Sequence, residues 1–153
     1  MMSMGVTSEN LAEKYGITRQ QMDKMAVESH KKAAHAQKMG WSAKEITPYE
    51  TILKDKEGNE KKVMVDRDDG IREGTSVEGL GKLKPAFKKG GATTAGNSSQ
   101  VTDGAAVSLL TRRSHAKKLG LPIKGRILGF KVVGVPIDLM GVGPAEAIPA
   151  VLK

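Results

Sequence analysis

Histidines are the first candidates for catalytic or metal-binding chemistry in this 153-residue chain, which contains three of them. His30 and His35 are five residues apart, so a helix would not direct both side chains at one metal ion, and His115 stands alone. Carboxylates are numerous, but they fall in polar turns and helix caps, where the sequence shows nothing that would shift a pKa. Residue types and spacing therefore indicate no catalytic group and no metal ligand.

Cysteine is absent from the chain. Its absence excludes disulfides, zinc–thiolate sites, iron–sulfur clusters and a cysteine nucleophile within these 153 residues. No Gly-x-Ser-x-Gly motif marks a serine nucleophile either. The residues thus support binding better than catalysis.

The segment with the most distinctive composition is residues 88–100, KKGGATTAGNSSQ. Its small, polar and glycine-rich residues suit a backbone that approaches a ligand closely. It is not a Walker loop, because no Gly-Lys-Ser/Thr closes it, and its glycine spacing is not that of a dinucleotide-binding fingerprint. Composition alone leaves open both a ligand-binding loop and a flexible linker.

Basic residues outnumber acidic ones by 25 to 17, and the net charge of +8 favours an anionic partner or serves solubility alone. Nucleic acid is poorly supported, because the five aromatic residues are scattered and form no stacking platform. A phosphorylated small molecule fits better, since arginine makes forked bonds to phosphate and Ala86 with Phe87 would wall an adenine ring. Basic residues cluster around the second half of the chain, among them Arg72, Lys82, Lys84, Lys88, Lys89, Arg112, Arg113, Lys117 and Lys118.

Two helices are predicted to form the first third of the chain. Residues 11–15 follow the capping residues 7–10 and end at a glycine. Thr18 and Gln21 form a capping box for a second helix, which ends at residues 38–40. The small or apolar residues spaced to form its buried face are Met22, Met25, Ala26, Ser29, Ala33 and Ala36.

The middle of the chain predicts a surface hairpin, with strands at residues 46–53 and 61–65 on either side of a polar turn. Thr75 and Glu78 form another capping box, which predicts a short helix before Pro85.

The last third alternates between strand and helix patterns. Residues 105–110 are an apolar run too short for its period to separate a strand from a helix, whereas residues 123–135 have the composition of a strand. Residues 112–119 form a charged helix, and Pro144 opens a closing helix. This order predicts an α/β fold. No apolar run approaches the length of a membrane span and the start lacks the features of a signal peptide, so we expect a soluble intracellular chain without a membrane partner.

Six motifs, in the same order as in the thiolase family, resemble that family, and their residues are closest to those of its peroxisomal 3-ketoacyl-CoA branch. They are MGVTSENLAE at 4–13, DGIR at 69–72, LKPAF at 83–87, TAGNSSQ at 94–100, TDGAA at 102–106 and MGVGPA at 140–145. The resemblance implies a thiolase-like α/β fold. Residues 1–91 would be part of the coenzyme A-binding loop domain, and residues 92–153 the first strands and helices of the C-terminal half.

The same resemblance implies a set of coenzyme A-binding residues. Ser99 would hydrogen-bond the pantetheine arm beside the Ala95 backbone, and Met4 and Met140 would line the acyl and pantetheine channel. The adenine-nucleotide end would be held by Arg72, Ala86 and Phe87. Two positions depart from some family members, Gly79 where these have serine and Ser3 where these have histidine.

The family activity implied is cleavage of 3-ketoacyl-CoA with coenzyme A to acetyl-CoA and a shortened acyl-CoA in fatty-acid β-oxidation. Coenzyme A would be a substrate, with no tightly bound cofactor. The two cysteines, the asparagine and the histidine that thiolases use for catalysis have no counterpart here, so we expect an internal fragment that is inactive alone. Residues 105–110 and 127–133 would then be strands with partners in the missing sequence.

Family members of full length imply a homodimer and a peroxisomal location, although no targeting signal is visible; without one, the cytoplasm would be the default. The alternative interpretation is a non-catalytic coenzyme A-binding or scaffold protein derived from a thiolase. A nucleic-acid partner is not expected.

Overall fold

A computed structural model describes residues 2–153 of the chain as helices, one hairpin and extended connections. The helices are α1 (Met4–Tyr15), α2 (Arg19–Lys38), α3 (Val77–Gly81), α4 (Arg113–Lys118) and α5 (Gly143–Leu152). Short 3₁₀ segments occupy Ser42–Lys44 and Ile137–Val142, and the strands are β1 (Tyr49–Lys54) and β2 (Glu60–Val65). None of the helices among these residues combines the length and the apolar composition that a bilayer span requires.

Helix α1 begins seven residues before the predicted start. Its N-cap is Ser3, so the predicted capping residues 7–10 lie inside the helix, and the Thr7 hydroxyl donates to the Met4 carbonyl at 2.8 Å. Tertiary packing explains the difference, because Gly5, Thr7, Glu9 and Ala12 form a buried face that fixes the first turns. The predicted end is confirmed by Gly16, which has φ 63°.

Helix α2 has the predicted ends but not the predicted face. The reciprocal Thr18–Gln21 capping box is present, and the helix ends at Lys38. Its buried residues are Asp23, Val27 and Ala34, none of which belongs to the predicted face. Of the predicted residues, Met25 is 77% exposed, Ser29 is exposed, and the others are half-buried. The prediction failed because it assigned every charged residue to the solvent side, whereas Asp23 has polar partners inside.

The predicted hairpin is confirmed. Strands β1 and β2 pair antiparallel from Tyr49 opposite Val65 to Lys54 opposite Glu60. The first strand begins at Tyr49, later than predicted, because the preceding residues form the 3₁₀ segment and its exit through a proline. Lys54 and Glu60 form a cross-strand ion pair at 2.9 Å on this exposed element.

Helix α3 is capped one residue later than predicted. The Ser76 hydroxyl accepts the Gly79 N–H at 3.0 Å, while the Thr75 hydroxyl is used to donate to the Arg72 carbonyl at 2.7 Å. The predicted Thr75–Glu78 capping box is therefore wrong. The predicted charged helix and closing helix correspond to α4 and α5, and the latter has a proline in its first turn.

The predicted strands 105–110 and 123–135 carry no strand hydrogen bonds in the part of the chain that the structure describes. Their side chains are almost all exposed. A strand needs a neighbour for its N–H and C=O groups, and among residues 2–153 only β1 and β2 provide that for each other. These segments are thus extended connections on either side of α4.

The packed part of the molecule is centred on α1 and α2. Helix α1 contacts the Ile137–Val142 segment, where the Asn10 amide donates to the Asp138 carbonyl at 3.2 Å and Leu11 lies against Gly141. Helix α2 contacts α3, whose Leu80 is buried. The glycine-rich segment lies against both long helices, as the next section describes.

Candidate functional site

Glu9 of α1 holds the start of the glycine-rich segment. Its side chain is 5% exposed, and its two carboxylate oxygens accept the N–H groups of Ala92 at 2.9 Å and Thr93 at 2.8 Å. The neighbouring Ser8 and Thr93 hydroxyls are hydrogen-bonded at 3.0 Å. A side chain at Gly91 would collide with the Glu9 carboxylate, which explains the glycine there. Helix α1 therefore fixes the backbone of residues 91–93.

The environment of Glu9 keeps it ionised. Burial is the largest influence and favours the neutral acid, but the N–H groups of Ala92 and Thr93, the Thr93 hydroxyl and the charge of Lys88 together outweigh it. The net result is a pKa of Glu9 below its ordinary value of 4.5. At neutral pH the group is thus a carboxylate with both oxygens used as acceptors.

A second buried carboxylate, Asp23 of α2, holds the other end of the segment. Its side chain is 2% exposed and accepts from Arg19 Nε at 2.8 Å and from the Asn97 amide at 3.0 Å. Arg19 also donates to the carbonyls of Leu80 at 2.5 Å and Leu83 at 3.0 Å. Asp23 therefore joins α2, the end of α3 and the glycine-rich segment in one network.

Asn97 closes the segment on itself. Its amide nitrogen donates to the Ala92 carbonyl at 2.9 Å, and its amide oxygen accepts the Thr94 N–H at 2.8 Å. Thr94, which is fully buried, accepts the Gly96 N–H at its hydroxyl and the Ser98 hydroxyl at its carbonyl. We call residues 92–98 the clamped loop. This density of hydrogen bonds is not that of a flexible linker.

Six of the seven predicted coenzyme A-binding residues lie around α1 and the clamped loop. Ala95 is an exposed residue of the loop, and Ser99 is exposed directly after it. The Ala86 N–H donates to the Thr93 carbonyl at 2.9 Å, and the Phe87 ring lies on Gly5 of α1. The remaining two, Met4 and Met140, lie at the start of α1 and on the 3₁₀ segment that packs against it, and both are exposed.

Arg72 lies apart from these six, in the connection between β2 and α3. Its N–H donates to Nδ1 of His30 on α2 at 3.2 Å, and its guanidinium makes no ion pair or hydrogen bond to any of residues 2–153. The guanidinium is thus exposed and unengaged. The nearest link to the clamped loop is the Gln100 side chain, which lies against Gly70.

The residues that shape the loop were not predicted from the sequence: Glu9, Asp23, Arg19 and Asn97. A signal was present in the spacing. Glu9 lies four and three residues from Gly5 and Ala12, and Asp23 lies four residues from both Arg19 and Val27. These intervals place each carboxylate on the same face as small or apolar residues. A charge at such a position indicates a buried polar network.

Two other features were tested as sites. No group of three or more histidine, aspartate or glutamate side chains within residues 2–153 is placed to hold a metal ion. A surface concavity of about 880 Å³ lies among residues 107–127, between the extended connections, and none of the seven predicted residues lines it. The clamped loop and its surroundings are therefore the candidate site.

Comparison with known proteins identifies relatives of the whole chain. Residues 1–114 match the family Thiolase, N-terminal domain. The peroxisomal 3-ketoacyl-CoA thiolase B of Rattus norvegicus is 56% identical over 153 residues, which are 100% of this chain and 36% of that protein. The chain thus spans about a third of the length of this relative, as expected for part of a longer family member.

Solved structures give the same result. The dimeric peroxisomal thiolase of Saccharomyces cerevisiae is 43% identical with a TM-score of 0.83, and covers 98% of this chain against 36% of its own. The human mitochondrial 3-ketoacyl-CoA thiolase in complex with CoA is 35% identical with a TM-score of 0.81, and covers 99% of this chain against 36% of its own. Sequence and fold agree, and the chain belongs to the thiolase family.

Proposed function

We propose that this chain supplies coenzyme A recognition to a 3-ketoacyl-CoA thiolase, the acyltransferase that cleaves 3-ketoacyl-CoA with coenzyme A to acetyl-CoA and a shortened acyl-CoA. The observation that carries the proposal is the clamped loop. It is held to α1 through Glu9, and Ala95 within it and Ser99 directly after it are exposed. The exposed Phe87 lies on Gly5 of the same helix. The CoA complex of the human mitochondrial relative supports the ligand.

Each residue has a role that suits one part of coenzyme A. The Ser99 hydroxyl and the Ala95 backbone would bond the amides of the pantetheine arm. Met4 and Met140 are unbranched and polarisable, which suits a channel for a flexible thioester arm. Phe87 would stack on one face of the adenine, with Ala86 beside it.

Basic side chains that suit the phosphates of coenzyme A lie within residues 72–89. Lys88 is paired with Glu13 at 2.6 Å and Lys82 with Glu78 at 2.8 Å, so both are partly neutralised. Lys84, Lys89 and Arg72 form no ion pair among the described residues. These three are the side chains that we assign to phosphate, with Arg72 as the forked donor.

Catalysis itself requires groups that the 153 residues do not contain. Acyl transfer through a cysteine thioester needs a thiolate, and the chain has no cysteine. We therefore expect no acetyl-CoA release from acetoacetyl-CoA by this chain alone. The peroxisomal relatives, one of which is dimeric, support a peroxisomal location and a dimer for the protein to which this chain contributes.

Isothermal titration of the chain with coenzyme A tests the proposal. We expect binding in the millimolar range, since only part of a thiolase contributes contacts, and about tenfold weaker binding for Phe87→Ala or Ser99→Ala. The matched control is Tyr49→Ala, another exposed aromatic, on the distant hairpin. The proposal would be overturned if millimolar coenzyme A gave no heat of binding, or if Tyr49→Ala weakened the binding as much as the site variants do.

A further inference from the structure

The two buried carboxylates hold different ends of the clamped loop. Glu9 of α1 accepts the N–H groups of Ala92 and Thr93, where the loop begins. Asp23 of α2 accepts from the amide of Asn97, where the loop ends. The loop is therefore suspended between two helices by two charged groups, one at each end.

Each end is joined to a different set of the proposed contacts. Thr93 accepts the Ala86 N–H at its carbonyl, so the Glu9 end is continuous with Ala86 and Phe87. Ser98 and Ser99 directly follow Asn97, and the Ser98 hydroxyl donates to the Thr94 carbonyl. The Glu9 end thus adjoins the adenine wall, and the Asp23 end adjoins the pantetheine donor.

We infer that Glu9 and Asp23 are positioning residues for coenzyme A, with Glu9 setting the loop against the nucleotide end and Asp23 setting Ser99 against the pantetheine arm. This inference rests on the proposed function of the site. Neither carboxylate touches the ligand. Each acts through the loop backbone or through Asn97.

Buried charge is an expensive way to stabilise a fold, because desolvation offsets most of the attraction. Its advantage is that it fixes geometry, because a carboxylate oxygen accepts a hydrogen bond only from a donor that points at it. No buried side-chain nitrogen or oxygen among residues 2–153 lacks a partner, so both carboxylates are fully used. A loop of small residues has little apolar surface of its own, and these bonds supply the geometry that packing cannot.

The test compares two ligands on the 153-residue chain. Coenzyme A occupies both ends of the site, whereas adenosine 3′,5′-bisphosphate has no pantetheine arm. We expect Asp23→Asn to weaken coenzyme A about tenfold and to leave adenosine 3′,5′-bisphosphate unchanged. Glu9→Gln should weaken both ligands. Glu28→Gln, an exposed carboxylate of α2 paired only with Lys31, is the control and should change neither.

The outcomes separate the inference from the function on which it rests. Coenzyme A binding by the unchanged chain, with variants that bind equally well, overturns the positioning roles and leaves the proposed function intact. Equal weakening of both ligands by Asp23→Asn also overturns the assignment, since it would show a general loss of structure. Helical circular dichroism of each variant identifies that case. Absence of binding by the unchanged chain removes both proposals.

Discussion

The clamped loop and the segment that follows it are neighbours in sequence with opposite burial. Thr94, a polar residue, has 0% of its surface exposed, whereas Val107, an apolar residue thirteen positions later, is 98% exposed. Hydrophobicity alone predicts the reverse. The difference shows that burial in this chain is decided by the partners available within it.

The loop has its partners inside residues 2–153. Glu9 and Asn97 bond its backbone, Asp23 holds the Asn97 side chain, and Leu80 and Leu83 cover Gly96. The apolar residues of the extended connections have no such cover, and their N–H and C=O groups have no neighbouring strand. Helices α1–α3 with the clamped loop form a packed region, whereas residues 101–111 and 123–135 form an uncovered segment, so the two should respond differently to substitution.

The largest effect is expected for Asp23→Ala. Removal of this carboxylate leaves the guanidinium of Arg19 and the amide of Asn97 without their buried partner, which costs about 3–5 kcal/mol of the free energy of unfolding. Urea denaturation followed by helical circular dichroism measures the loss. The control is Glu28→Ala, an exposed carboxylate on the same helix, where we expect about 0.5 kcal/mol or less. A loss below 1 kcal/mol for Asp23→Ala would show that the network is not a centre of stability.

A smaller effect is expected for Gly5→Ala. A methyl group at this position would occupy the space of the Phe87 ring, so the ring must move at a cost of about 1–3 kcal/mol. Gly74→Ala, where nothing lies within 4 Å of an added methyl, is the matched control. Because Phe87 is displaced, Gly5→Ala should also weaken coenzyme A binding, measured by the titration described above. Unchanged stability and affinity would show that the Phe87 ring does not lie on α1.

Local signals explain which parts of the fold were predictable. The Thr18–Gln21 box and the glycine stop at Gly16 depend on residues three or four apart, and both were correct. The buried face of α2 depends on Asn97, 74 positions from Asp23, and was wrong. A partner so far away in the sequence does not change the helical spacing of apolar residues. Its one local sign is a charged residue on the apolar face of the helix.

The residues of the candidate site also differ in whether local sequence signals predict them. Phe87 was proposed from residue type as a wall for adenine, whereas Ala95, Ser99 and the two methionines were predicted only from motifs that resemble a family. Composition alone left the glycine-rich segment as either a loop or a linker. Glu9 lies inside one of these motifs and was still missed, because its role depends on backbone groups more than 80 positions away. The period of residues 105–110 does not separate a strand from a helix, and a strand was predicted there from the resemblance to a longer family member, but a strand ladder also needs a partner within the chain.

Protonation of Glu9 is expected to weaken the packed part at low pH. Its pKa is lower in the folded chain than its ordinary value, so its contribution to stability is complete above pH 4.5 and is lost as the pH falls through the lower, folded pKa. Urea denaturation of the unchanged chain and of Glu9→Gln at several pH values measures this contribution. The stability difference should shrink below pH 4.5. A difference that grows there would mean that the sign of the shift is wrong.

The smallest change in stability is expected in the uncovered segment. Val107→Lys together with Phe130→Lys removes two exposed apolar side chains that contribute little burial, so the free energy of unfolding should change by about 0.5 kcal/mol or less. Self-association should nevertheless fall, because extended segments with free edges and apolar side chains pair readily with other chains. Light scattering measures this self-association.

Thr111→Lys and Thr102→Lys add the same charge at exposed polar positions, which separates the loss of apolar surface from simple charge repulsion. If the lysines at 107 and 130 lower stability as much as Gly5→Ala does, the two residues pack within the chain, and the contrast between its two regions fails.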